Sequence, residues 1–170
     1  LWRMEIGAGW SGFAVVGEYA VTQEQRGTTE CVVCYRLQDR QTIWIHSDPA
    51  RFESNMGGVG PRATPTIVGG KGYAVGGQGL LNCLDGATGQ ALWSVNILQD
   101  NGGHEISHGV CGSPLVIGDK VIVSPTGVAE ASLVAYVRIF LRGIGVASEP
   151  SDAATRTVPR SPRSTPSPSA

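Results

Sequence analysis

The sequence predicts an all-β protein, a partial β-propeller of about three four-stranded antiparallel blades. An aliphatic residue followed by tryptophan occurs three times, and Trp2, Trp44 and Trp93 are separated by 42 and 49 residues. After each tryptophan comes a glycine-rich stretch and then two β-branched runs joined at a central glycine, which is typical of a β-hairpin. Residues 1–136 contain no convincing helical period. An irregular β-sandwich is the alternative, but repetition of hairpin and tryptophan at matching offsets favours the propeller.

In chain order, each unit begins with a hairpin, continues with a third strand and, in the first two units, ends with a fourth strand that carries tryptophan. The hairpins are predicted at residues 13–21, 66–75 and 115–123, and the third strands at residues 31–35, 80–84 and 132–136. Trp44 and Trp93 lie on the predicted fourth strands. Four short strands in roughly 40 to 50 residues match the size of one propeller blade.

The chain divides by composition into a repeat and a tail. The units span about residues 7–48, 62–97 and 112–136, the last being incomplete, so the predicted propeller part is residues 1–136. That part has 8 Lys/Arg and 12 Asp/Glu, whereas residues 137–170 have 5 and 2 and are rich in Ser, Pro and Arg. Residues 137–170 are therefore predicted to be a low-complexity tail, disordered or frame-shifted. Because propellers close with roughly 4 to 8 blades, we expect the chain to be a fragment.

Charge and composition also exclude several classes of function. The net charge of −4 over residues 1–136 argues against a nucleic-acid-binding domain, which has to neutralise phosphates. The sequence has neither an apolar run long enough for a membrane-spanning helix nor a recognisable signal peptide. Four cysteines in 170 residues are too few for a disulfide-based scaffold.

Residues 83–93 carry the most specific motif, Cys-Leu-Asp-Gly-Ala-Thr-Gly-Gln-Ala-Leu-Trp. It resembles the tryptophan-docking motif of the pyrroloquinoline-quinone-like (PQQ-like) propeller repeat in both spacing and residue type. Asp85 and Thr88 are expected to bond backbone amides in the turn, and Gly89 to supply a positive φ. Trp93 is expected to bury a large apolar surface between neighbouring blades.

The other units depart from this motif. The first unit keeps the ten-residue spacing between Cys34 and Trp44, but Arg36 and Arg40 stand where Asp and Gly are expected. Trp2 is the earliest tryptophan of the repeat. In the third unit the Asp, Gly and Trp positions are occupied by other residues, namely Val137, Leu141 and Gly145. The resemblance therefore covers residues 1–136 and ends there.

The resemblance is to PQQ-like repeat proteins of the planctomycete type, described as BamB-like or quinoprotein-like. It implies an extracytoplasmic, for example periplasmic, location and a non-catalytic binding or assembly scaffold whose partners are other blades of the parent propeller and further proteins. The alternative that it implies is a fragment of a quinoprotein alcohol or sugar dehydrogenase, which would bind PQQ and Ca²⁺. The sequence has no adjacent cysteine pair and no carboxylate assignable to calcium, so no cofactor and no catalytic residue is assigned.

A third hypothesis is a zinc hydrolase, since His104-Glu105-x-x-His108 matches the H-E-x-x-H pattern. That pattern needs a helix to bring both histidines to one face, but glycines flank the segment closely and predict a loop. No metal ligand is therefore assigned.

The cysteines are predicted to be structural. Cys31 and Cys34 have the spacing of a redox pair but lie in a β-branched run, where positions three apart face opposite sides of a strand. Cys83 and Cys111 are likewise expected at core positions.

Overall fold

The computed structural model describes residues 2–104 and 107–125, and the backbone of residues 134–137. These residues all lie in the first of two compact units, Leu1–Ile139. The predicted fold class is confirmed, since the chain is an all-β partial propeller and the one helical element described is the short 3-10 helix Gln99–Asn101. No helix in the described part is long and apolar enough to span a membrane.

The described residues form three larger sheets and one two-stranded hairpin, each built from antiparallel neighbours in sequence order. The first sheet consists of β1 (Ala14–Val16), β2 (Tyr19–Arg26), β3 (Thr29–Arg36) and β4 (Thr42–Asp48). A small hairpin of β5 (Glu53–Ser54) and β6 (Gly58–Val59), which the sequence pattern did not predict, precedes the second sheet. The second sheet consists of β7 (Thr66–Val68), β8 (Lys71–Val75), β9 (Leu80–Asp85) and β10 (Ala91–Asn96), and the described strands of the third are β11 (Leu115–Ile117), β12 (Lys120–Val123) and β13 (Val134–Val137).

Each sheet opens with the hairpin that the central glycine predicts. The first turn residues Gly17, Gly69 and Gly118 have φ of 58°, 57° and 57°, which is the left-handed region that such two-residue hairpin turns require. The three glycines also align the sheets: residues at the same offset from them are called equivalent positions below.

Packing between the sheets follows from the alternation of side chains along each strand. Trp44 lies directly opposite Cys34 across β3 and β4, and both pack with Ala74 and Leu84 of the second sheet. On the other face of the second sheet, Tyr73 belongs to a cluster that includes residues of the third sheet. Consecutive sheets therefore stack face to face, as propeller blades do.

A chain of hydrogen bonds also joins the segments that lead into the first strand of each sheet. The Gly12 amide donates to the Thr64 hydroxyl over 3.1 Å, and the Thr64 amide donates to the Ser113 hydroxyl over 3.0 Å. Each of these residues lies two positions before its strand, so the same bond recurs from sheet to sheet.

The hairpins and third strands that the sequence predicts are present in the structure. The predicted tail lies outside the described residues, apart from the backbone of Val137.

Candidate functional site

A polar cluster forms the turn of residues 85–90, which is called the docking turn. The Asp85 carboxylate accepts hydrogen bonds from the Ala87 amide at 3.0 Å, the Thr88 amide at 2.9 Å and the Thr88 hydroxyl at 2.9 Å. The Gly89 amide donates to the Asp85 carbonyl over 2.8 Å, which closes the turn. The Thr88 hydroxyl and amide hold the pKa of Asp85 below its ordinary value, because they stabilise the ionised form.

Gly89 is needed here for two separate reasons. Its φ of 73° is strained for residues with a Cβ atom, and a Cβ there would lie 2.5 Å from Cε3 of Trp44. The indole of Trp44 thus rests directly on the Gly89 backbone, and its Nε1 donates to the Gly86 carbonyl over 3.0 Å. The docking turn of the second sheet therefore receives the tryptophan of the first sheet.

Trp93 belongs to the opposite face of the second sheet. It pairs with Cys83 across β9 and β10, is half-buried, and packs at a tilt on Tyr73 with ring centroids 6.2 Å apart. The positions of the third unit that correspond to the docking turn are residues 137–142, and all of them but Val137 lie outside the described residues. The role of Trp93 between blades therefore stays a prediction.

The first sheet forms the same turn with different side chains. The Arg36 amide donates to the Gln41 carbonyl over 2.8 Å and the Arg40 amide to the Arg36 carbonyl over 2.9 Å. The amides of Asp85 and Gly89 make the same two bonds in the docking turn. Arg40 takes the glycine position with φ of 65°, the one positive φ of a residue other than glycine in the described chain. Arg36 and Arg40 thus depart from the motif in sequence but keep its backbone.

Asp39 replaces the missing carboxylate of this turn, and sequence reasoning did not identify it. Its carboxylate accepts a hydrogen bond from the Gln41 amide at 3.2 Å and pairs with the Arg36 guanidinium at 2.7 Å. The pKa of Asp39 is lowered, first by the hydrogen bond from Arg36. The signal available in the sequence was an acidic residue, Asp39, next to Arg40, which stands where the motif has glycine.

Trp2 lies on the face of the first sheet that points away from the second. About half of its surface is exposed, and it borders an apolar groove with a volume of about 310 Å³. The groove is lined by side chains from the N-terminal segment and the first three strands, namely Trp2, Met4, Ile6, Phe13, Val15, Ala20, Tyr35 and Leu37.

A fully buried carboxylate lies on the same face as the groove. Glu24 accepts hydrogen bonds from the Gly7 amide at 2.7 Å and from the Tyr35 hydroxyl at 3.0 Å, and it pairs with Arg26. Burial, followed by the charge of Glu24, raises the pKa of Tyr35 to about 12. These bonds fasten the N-terminal segment to the first sheet.

Two further carboxylates join the first sheet to the second. Glu30 accepts from the Gly77 amide with both oxygens, each at 3.1 Å. Asp48 accepts from the Asn82 amide at 2.6 Å and contacts His46 at 3.2 Å. Together with the docking turn, these contacts form the seam, the surface along which the first two sheets meet.

The zinc pattern is not assembled by the described residues. His104 and His108 are exposed and lie in irregular segments, whereas Glu105 lies outside the described residues. The His108 ring contacts its neighbour Ser107 at 3.0 Å. Within the described part of the chain, no group of three His, Cys, Asp or Glu side chains is placed to hold a metal ion.

The prediction for the cysteines is right for three of the four. Cys31, Cys34 and Cys83 are buried, and Cys31 and Cys34 belong to different clusters on opposite faces of β3. Burial raises the pKa of Cys34. The core position predicted for Cys111 is wrong, because the residue precedes β11 in an irregular segment and its thiol is exposed.

Comparison with known proteins identifies the fold. A europium-containing methanol dehydrogenase has a TM-score of 0.57 and 21% identity, and the match covers 78% of this chain and 23% of the dehydrogenase. The quinohemoprotein alcohol dehydrogenase from Comamonas testosteroni has a TM-score of 0.58 and 23% identity, over 78% of this chain and 20% of that one. A quinohemoprotein alcohol dehydrogenase from Pseudomonas putida HK5 has a TM-score of 0.54 and 21% identity, and the match covers 78% of this chain and 19% of the dehydrogenase.

The chain has the fold of a PQQ-like β-propeller segment. It spans about a fifth of the length of these dehydrogenases. BamB from Moraxella catarrhalis has a TM-score of 0.34, which is too low to indicate a shared fold. No family model matches the sequence, and no curated protein matches it.

Proposed function

We propose that the chain is a non-catalytic segment of a larger PQQ-like β-propeller and serves as a scaffold for binding or assembly. The observation that carries this proposal is the packing of consecutive sheets against one another. The Trp44 indole and the docking turn lock the first sheet to the second, and the Gly12–Thr64–Ser113 bonds repeat from sheet to sheet. The partners of such a scaffold are other blades of the propeller and proteins bound at its rim.

The use of the buried carboxylates supports the scaffold. Glu24 is held by Arg26, Tyr35 and a backbone amide, and Glu30 is held by the Gly77 amide. Because these carboxylates use their hydrogen-bonding capacity inside the protein, they hold neighbouring segments together. This use supports a structural role.

A fragment of a PQQ-dependent alcohol or sugar dehydrogenase is the second candidate, and the fold shared with three alcohol-oxidising enzymes favours it. Calcium prefers six to eight oxygen ligands, largely from carboxylates and carbonyls. The described residues do not fit such a site, because no cluster of acidic side chains is present among them and Glu24 and Glu30 are engaged in the packing. No catalytic step is therefore assigned to them.

Cofactor loading distinguishes the two candidates. PQQ and Ca²⁺ are added to the complete protein, and binding is followed by equilibrium dialysis and by the shift in melting temperature, with alcohol oxidation measured through a redox dye. The scaffold predicts no retained PQQ, no shift and no turnover. Saturable PQQ binding together with reduction of the dye would contradict the proposed scaffold and support the dehydrogenase.

We further propose an extracytoplasmic location, which rests on the resemblance in fold. Fractionation of cells that express the complete protein, with a cytoplasmic marker enzyme as control, tests it. Recovery together with the cytoplasmic marker would contradict the proposal.

A further inference from the structure

We propose that the β5–β6 hairpin, together with Trp10 and Arg62, binds a partner protein through a carboxylate and an adjacent apolar side chain of that partner. The surface formed by Trp10, Met56 and Arg62 is called the hairpin surface. This inference rests on the proposed scaffold and gives the chemistry of one of its protein partners. The hairpin connects the first sheet to the second, and four strands of each are described, so the sheets on both sides of it belong to this chain.

Trp10 and Arg62 come from neighbouring segments and lie next to the same glycine. They occupy equivalent positions ahead of the first strands of their sheets, and the Trp10 amide donates to the Pro61 carbonyl over 2.8 Å. The Arg62 Nη2 donates to the Gly58 carbonyl over 3.3 Å. A Cβ atom on Gly58 would lie 3.5 Å from Nε1 of Trp10. An indole and a guanidinium are thus presented together beside the hairpin.

The guanidinium of Arg62 has no carboxylate partner among the described residues. Arg26, Arg36 and Arg51 each pair with a nearby carboxylate. Arg62 makes no such pair in the described chain, and its Nε is buried there without a hydrogen-bond partner. Its bond to Gly58 is longer than the usual range of about 2.7 to 3.2 Å. A guanidinium carries donors in a planar fork that fits a carboxylate, so Arg62 has donors left for an acidic group of a partner.

The Arg62 guanidinium is held in place by the hairpin itself. Its Cζ lies 5.1 Å from the centroid of the Phe52 ring, which is a cation–π distance. Its Nη2 rests on Gly57, where a Cβ atom would collide with it. The Gly60 amide donates to the Phe52 carbonyl and the Gly57 amide to the Ser54 hydroxyl, each over 2.9 Å, which fixes the base and the tip of the hairpin. A side chain fixed in this way loses little conformational freedom on binding, which favours affinity.

Exposed apolar side chains lie on the same hairpin surface. Trp10 is 69% exposed, and Met56 at the tip of the hairpin is 80% exposed. Tryptophan, methionine and arginine are enriched in protein–protein interfaces, and tryptophan and arginine are frequent among the residues that carry most of the binding energy. An indole and a thioether pack against an apolar side chain, whereas a guanidinium binds a carboxylate. The combination fits a protein segment in which Asp or Glu stands next to an aromatic or aliphatic residue.

A phage-displayed library of random dodecapeptides, selected on the immobilised whole chain, tests the proposal. The strongest binder is synthesised with a fluorescein label, and its dissociation constant is measured by fluorescence anisotropy. We expect the selected peptides to share Asp or Glu beside an aromatic or aliphatic residue. Replacing that Asp or Glu by its amide should weaken binding by roughly tenfold. Selected peptides without this pattern, or a library that yields no binder, would overturn the proposal.

Substitutions in the hairpin surface locate the binding. Arg62→Gln and Trp10→Ala should each weaken the peptide by roughly tenfold or more. Arg62→Lys keeps the charge but loses the planar fork, so its dissociation constant should fall between those of Arg62→Gln and wild type. Arg51→Gln is the matched control, because Arg51 adjoins the same hairpin but is already paired with Glu53, and its dissociation constant should equal that of wild type. Far-ultraviolet circular dichroism checks that each variant is folded.

The indole signal of Trp10 gives a readout that does not depend on the stability of a variant. In the ¹⁵N-labelled wild-type chain, the peptide should shift the Nε1 signal of Trp10 and leave that of Trp44, which is bonded to Gly86 within the seam, unchanged. Equal affinity of wild type and Arg62→Gln, or a bound peptide that leaves the Trp10 signal in place, would overturn the docking surface. None of these outcomes bears on PQQ binding, so the proposed scaffold is tested separately.

Discussion

Replacing Gly89 by alanine tests how the first two sheets are joined. The residue has φ of 73°, and a Cβ atom would lie 2.5 and 2.7 Å from Cε3 and Cδ2 of Trp44. The backbone strain costs about 1 to 2 kcal/mol. Moving the indole away also breaks its bond to the Gly86 carbonyl, which is worth about 1 kcal/mol, and loosens buried packing by a similar amount. We expect the free energy of unfolding to fall by about 3 to 4 kcal/mol.

Gly17→Ala is the matched control for this substitution. Gly17 has φ of 58°, but a Cβ atom there meets nothing within 4 Å, so only the backbone strain of about 1 to 2 kcal/mol applies. Both variants are unfolded in urea, followed by tryptophan fluorescence and by far-ultraviolet circular dichroism. The difference between them measures the contact with Trp44. If Gly89→Ala destabilises the protein no more than Gly17→Ala does, the docking of Trp44 on this turn is wrong.

Three further predictions concern the turns and the buried groups. Arg40→Gly should raise the free energy of unfolding by about 0.5 to 1 kcal/mol in the same urea titration, because relief of the positive φ exceeds the greater entropy of the unfolded glycine. Asp85 has a lowered pKa when folded, so its contribution is present above the ordinary carboxyl pKa of about 4 and is lost as the pH falls further. Asp85→Asn should therefore show a shallower loss of stability on acidification, and a slope equal to wild type would contradict this. Tyr35 has a pKa raised to about 12, so its contribution is present below its ordinary value of 10.0 and is lost as the pH rises toward 12. In Tyr35→Phe, thermal melts over that range should depend less on pH than in wild type, and an unchanged alkaline limb would refute the role of the buried hydroxyl.

The strands could be predicted because their signal is local. A β-branched run, a glycine and a second run define each hairpin within about ten residues, and all three hairpins form at the predicted places. The docking turn is also local, because its hydrogen bonds and the positive φ of Gly89 all fall within residues 85–90.

The partner of the docking turn could not be predicted, because that contact is not local. Trp44 reaches Gly86 from the preceding sheet, 42 residues away, and nothing in the motif around Trp93 specifies which tryptophan is received. The role of Asp39 was missed because it occupies a different position in its turn from that of Asp85 in the docking turn. Cys111 was misplaced because hydrophobic character alone indicates burial, whereas the irregular backbone before β11 turns this thiol outward.

Hydrogen exchange of the tryptophan indoles tests the stacking of the sheets most directly. The protein has four tryptophans, so an ¹⁵N-labelled sample gives four indole signals that substitution can assign. The Nε1 proton of Trp44 should exchange most slowly, because it is bonded to Gly86 within the seam, and Trp10, which is 69% exposed, should exchange fast. If the Trp44 indole exchanges as fast as that of Trp10, the sheets are not stacked as blades and the propeller account is contradicted.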